Sequence, residues 1–194
     1  MEKEIRTLNN VELRADTESR LIDGYAIRFG EWSRDLGGFT EIIDKGAVSQ
    51  ELVLNSDIIM NVNHDDDKMV ARWNKGKGTL NLELREDGLY FQFNAPTTEL
   101  GNQLLYDVRN GNLYECSFAF TIDSNNKDSE RWYRDIDNQL KREIHTISGL
   151  YDCSIVSRAA YPTTSCSARG EEVIIKAAEV DKAMEAIEEE FEKL

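Results

Sequence analysis

The sequence predicts a mostly β fold with flanking helices, on three observations. Short apolar or alternating runs, separated by turn residues, recur through about the first 160 residues. Only two stretches in that region carry helical patterning and caps. Beyond "YPTTSCSARG" the composition shifts to an acidic segment with helical spacing.

Taken in order, "EIRTLNNVELR" alternates loosely and is charged, as an edge strand would be. "LIDGYAIRFGEW" reads as a strand broken by Gly24 and Gly30, and "KGAVSQELV" as a short helix. "DIIMNVNH", "TLNLELRE" and "GLYFQFNA" follow as strands. Asp87-Gly88 is expected at the tip of the hairpin between the last two, in positions that tolerate the left-handed region. "TTELGNQLLYDVRNG" is the stronger helix: Thr97 or Thr98 caps it, Gly111 stops it, and Leu100, Leu104, Leu105 and Val108 share one face. "ECSFAFTI" and "LYDCSIVS" are strands. "SNNKDSER" reads as a polar mobile loop, and "RWYRDIDNQLKREIHTI" as a hairpin with Asp137-Asn138 near its tip. Two domains are expected: residues 1–168, and a C-terminal amphipathic or coiled-coil-like helix over 171–194. In the latter Val173, Ala177, Val180, Met184, Ile187, Phe191 and Leu194 recur at spacings of 4, 3, 4, 3, 4 and 3.

The net charge of −14 repels phosphate backbones and argues against nucleic acid as a partner. No apolar run reaches the ~18 residues of a membrane span, so no membrane role is expected. The three cysteines, Cys116, Cys153 and Cys166, have no CxxC spacing, which fits a reducing compartment better than a disulfide framework or a zinc site. "HDDD" lacks the spacing of a calcium loop, so no metal or other cofactor is implied.

Strand parity singles out the candidate chemistry. Side chains alternate along a strand, so Cys116, Phe118 and Phe120 share one face while Ser117 and Ala119 share the other. In "LYDCSIVS" Tyr151, Cys153 and Ile155 are expected on the apolar face, with Asp152 and Ser154 opposite. A serine becomes a nucleophile when a base takes its proton, and histidine suits that task near neutral pH. The chain has two histidines, His64 and His145.

These pieces resemble the prohead (capsid maturation) proteases of tailed bacteriophages, which are distantly similar to the herpesvirus assembly proteases. The resemblance spans roughly residues 20 to 165. It rests on "GYAIRFGEWS…GGFTEIIDKGAV", "NHD", "GLYFQFNAP…GNQLLYDVRNGNLYECSFAF" and "LYDCSIVSRAAYP", in that order. It implies a serine endopeptidase on an antiparallel β-barrel of the herpesvirus-protease type. Ser117 matches the nucleophile and His64 the base. Asp152 stands where the family usually has an acidic residue, often Glu. His145 remains the competing third member, because the herpesvirus enzymes use a second histidine. Arg158 is an oxyanion-hole candidate by analogy with an arginine-bearing segment of those enzymes. The implied substrates are the major capsid protein or its scaffolding segment, and the protease itself, cleaved inside the assembling procapsid in the host bacterial cytoplasm. Self-association through the C-terminal helix is a further expectation. The rival reading is a non-catalytic capsid assembly or scaffolding module that keeps the fold.

Overall fold

The computed structural model describes residues 3–8, 13–16 and 18–157. The expected C-terminal helix over 171–194, Cys166 and Arg158 lie outside them. Thirteen strands run in chain order: β1 (Glu4–Leu8), β2 (Arg14–Ala15), β3 (Leu21–Arg28), β4 (Phe39–Ile43), β5 (Asp57–Val62), β6 (Asp65–Asn74), β7 (Lys77–Gly78), β8 (Asn81–Arg85), β9 (Gly88–Asn94), β10 (Glu115–Thr121), β11 (Glu130–Arg134), β12 (Leu140–Ile144) and β13 (Gly149–Val156). Two α-helices interrupt them, α1 (Gln50–Asn55) and α2 (Glu99–Arg109). No helix among the described residues is long and apolar enough to cross a membrane.

The fold is mostly β, but the strands do not close into the expected barrel. They form three sheets among the described residues, ordered β1-β10-β13-β5-β6-β7, β11-β12-β4 and β2-β3-β9-β8. Each sheet ends in strands with one ladder partner, so no continuous ladder returns on itself. Most pairs are antiparallel, yet β13 pairs with β5 and β12 with β4 in parallel.

One apolar cluster joins the layers. Phe91 and Phe93 of β9, Phe118 and Phe120 of β10, and Ile58 and Met60 of β5 are fully or almost fully buried in it. Helix α2 adds Leu104, Leu105 and Val108, with Leu100 packed at the margin. Thr98 caps it by accepting from the Gly101 N–H, and Gly111 follows its end at φ 70°. Ser49 caps α1 in the same way, accepting from the Leu52 N–H.

Three local expectations need correction. The β8–β9 turn is Glu86-Asp87, because Arg85 pairs with Gly88, and Gly88 does not adopt positive φ. Its need is space: a Cβ there would sit 2.1 Å from the Ile27 carbonyl oxygen. Residues 124–131 are not simply a polar loop. They hold a short 3₁₀ turn, Lys127–Ser129, whose Ser129 is buried and whose backbone carbonyl accepts from the His145 and Thr146 N–H groups. Tyr151 is not a core residue. The β10–β13 register shifts after Ala119, so Leu150 takes the buried place opposite Phe120 and Tyr151 turns outward.

Candidate active site

The site is built on one face of β10, β13 and β5. Ser117 lies opposite Ser154, and Ala119 opposite Asp152. Asn61 of β5 lies beside Ser154 in the parallel pairing. Cys116 and Cys153 therefore face the other way, into the apolar cluster. Burial pushes both thiols above their ordinary range, which keeps them neutral and poor nucleophiles.

His64 reaches this face from a hairpin tip. Val62 pairs with Asp65, leaving Asn63 and His64 as a two-residue turn with φ of 58° and 55°. That is the signature of a type I′ turn, in which both central residues are left-handed. Non-glycine residues in this region are uncommon, and Asn and His are among the better tolerated. The turn is tied down at three points. The His64 N–H donates to Ser154 Oγ at 2.9 Å, the Asn63 N–H donates to the Ile155 carbonyl at 3.2 Å, and the Ser157 N–H donates to Asn63 Oδ1 at 3.4 Å. Ser154 in turn donates to Asn61 Oδ1.

The result is a hydrogen-bonded chain of three side chains. Ser117 Oγ lies 2.6 Å from His64 Nε2, and His64 Nδ1 lies 2.6 Å from Asp152 Oδ1. Burial raises the Asp152 carboxyl, but the hydrogen bonds from His64 and Lys3 outweigh it and hold the group below its ordinary value. Asp152 is thus an anion held against one face of the imidazole edge, suited to fixing the tautomer with Nδ1–H. His145 is elsewhere: its Nδ1 lies 2.6 Å from Asp44 Oδ2.

Over residues 7–179 the sequence matches the family model of the caudovirus prohead serine proteases. The chain belongs to this family. It is a serine protease, not the non-catalytic scaffolding module of the rival reading. Among solved structures, the bacteriophage T4 capsid assembly protease is similar over 77% of this chain and 96% of that one, at 9% identity and a TM-score of 0.38. No curated protein matches significantly.

In this prohead protease the structure also recruits residues that the sequence did not single out. Lys3 Nζ donates to Asp152 Oδ2 at 2.8 Å, and Thr7 Oγ1 donates to Ser117 Oγ at 3.2 Å. Ser154 and Asn61 support the His64 backbone from beneath. Parity had placed Ser154 on the correct face, but a single serine beside the candidate Asp carries no signal of its own. Lys3 and Thr7 lie more than 100 residues from their partners, and nothing local in the sequence marks them.

Proposed function

We propose that this chain cleaves capsid and scaffold proteins, and itself, during procapsid maturation, with Ser117 as nucleophile, His64 as general base and Asp152 as the group that orients the imidazole. The observation that carries this reading is the unbroken chain from Ser117 Oγ through both ring nitrogens of His64 to Asp152 Oδ1, at 2.6 Å on each side. These distances fall within direct proton-transfer reach.

The steps follow from that geometry. Ser117 Oγ bonds to the scissile carbonyl carbon as its proton passes to His64 Nε2. Asp152, accepting from Nδ1–H, stabilises the positive imidazolium so formed. The negative charge on the former carbonyl oxygen needs N–H donors, for which backbone amides and Arg158 are the proposed source. Collapse expels the amine, which leaves with the proton from Nε2. Water, activated by the same imidazole, then cleaves the acyl-Ser117 ester.

Family membership supports the substrate class we propose: the major capsid protein's scaffolding segment, or a separate scaffold, within the assembling shell in the host cytoplasm. The heptad seam from Val173 to Leu194 is assigned to recruitment or self-association there. The test is co-assembly of the chain with its capsid protein. Ser117→Ala is expected to abolish processing while shells still form. Processing that continues in that variant at the wild-type rate would end the proposal.

A further inference from the structure

The N-terminal strand lies across the reacting serine. β1 has one ladder partner, the outer edge of β10, and in that antiparallel pairing Thr7 stands opposite Ser117. Ser117 is 0% exposed. Two of the groups against its Oγ, Thr7 Oγ1 and the Arg6 carbonyl oxygen, belong to β1.

Resting on the protease reading, we propose that the outer edge of β10 is the docking strand for an extended peptide with a basic side chain, and that β1 is its built-in occupant, closing the site until it is displaced. Three sets of contacts support this. The first is at the backbone. Ser117 Oγ donates to the Arg6 carbonyl oxygen at 2.8 Å, which sets the β1 backbone directly beside the nucleophile. A hydroxyl has one proton. The Arg6 carbonyl oxygen and His64 Nε2, at 2.8 and 2.6 Å from Oγ, therefore compete for that proton while β1 is in place. The second is at Asp152, where Lys3 occupies the oxygen that His64 leaves free.

The third set identifies the side chain that the edge accepts. The Arg6 guanidinium forks onto Glu41, with Nε to Oε1 at 2.8 Å and Nη2 to Oε2 at 3.0 Å. Around it Arg142, 1% exposed, binds Glu4, Glu41 and Glu130. Displacing β1 removes one acid, Glu4, and one base, Arg6. The formal charge of the cluster does not change, but Glu41 loses the Arg6 fork and keeps only Arg142, which it shares with Glu130. A buried carboxylate that loses part of its charged pairing is costly, so an incoming peptide that restores a cation on Glu41 at this register is favoured over one that does not.

Displacement is physically reasonable. β1 is five residues long and is held by a single ladder. Its ion pairs gain less than their count suggests, because taking the charges out of water offsets much of their attraction. The family match begins at residue 7, so Lys3, Glu4 and Arg6 precede it while Ser117, His64 and Asp152 lie inside it.

The experiment follows the rate at which a fluorophosphonate labels Ser117 in the full-length chain. Wild type is expected to label slowly. Arg6→Ala, which removes the fork, is expected to label about tenfold faster. Lys3→Ala, which alters a half-exposed side chain and leaves the buried cluster intact, is expected to accelerate it by a smaller factor and covers the case in which Arg6→Ala fails to fold. A synthetic peptide of residues 3–8, added to the faster variant, is expected to slow labelling towards the wild-type rate. The same peptide with Glu in place of Arg is expected to leave the rate unchanged. Equal rates in wild type and both folded variants, or equal protection by both peptides, would overturn the inference. Absence of labelling in every folded chain would instead remove the protease assignment of Ser117 on which it rests.

Discussion

At the scale of single residues, the third member of the site discriminates most sharply between alternatives. Asp152 touches His64 Nδ1, whereas His145 is bonded to Asp44. Asp152→Asn removes the charge that stabilises imidazolium and favours the wrong tautomer, so cleavage of the capsid substrate should fall by about 10⁴. His145→Ala should change it less than about threefold, since surface substitutions away from the site are usually mild. Comparing initial cleavage rates of the two variants decides the assignment, and a larger loss in the His145 variant would reverse it. Much of this geometry was legible in the sequence. Alternation along two strands put Ser117 and Asp152 on the face away from Cys116 and Cys153, and the structure has them there. Lys3 and Thr7 were not legible, because their role arises from a pairing that closes more than 100 residues of chain.

At the scale of elements, the β5–β6 hairpin does the positioning. Asn63 and His64 are both left-handed, and this places the imidazole over β13. A β-branched residue at Asn63 would be strained there, costing about 1–2 kcal/mol. Asn63→Val should lower the melting temperature and slow cleavage, while Asn63→Gly, which adopts positive φ freely, should stay close to wild type in cleavage. If both variants behave alike, the turn conformation is not what places His64. This hairpin also shows why one strand escaped the sequence. The first half of β6 is the polar run "DDDK", exposed in the structure, and by its composition it reads as a turn. β4, "FTEII", is short, and its partner β12 lies about 100 residues on in a parallel pairing. By contrast, α2 carried its cap, its stop and its apolar face locally, and each was readable.

At the scale of the whole molecule, the mostly β character was visible in the recurrence of short apolar runs, but the division into three sheets was not. Sheet order is decided by non-local pairings, such as β13 inserting between β10 and β5, that leave no periodicity in the chain. The buried charge cluster is likewise assembled from four strands, β1, β4, β11 and β12. It makes stability acid-sensitive. Burial raises the Glu4 carboxyl, but Arg142 and Arg6 outweigh it and hold the group below its ordinary 4.5. Asp152 is held below its ordinary 3.8. With folded values depressed, the unfolded chain binds protons first. These groups stabilise the fold fully above about pH 5, and that contribution drains away as pH falls through 4.5 and 3.8 towards the folded values. Urea midpoints should therefore drop between pH 5 and pH 3, and less steeply in Glu4→Gln than in wild type. An identical slope in the two would show that Glu4 is not part of the acid response.

The central claim is that Ser117 is a nucleophile activated by His64, and its most direct test is to locate a covalent adduct. The full-length chain is treated with a fluorophosphonate to completion, digested and mapped by mass spectrometry. The expected result is a single adduct on Ser117 that forms at least about 10³-fold more slowly in His64→Ala. An adduct on another residue, or on Ser117 at the same rate without His64, would contradict it.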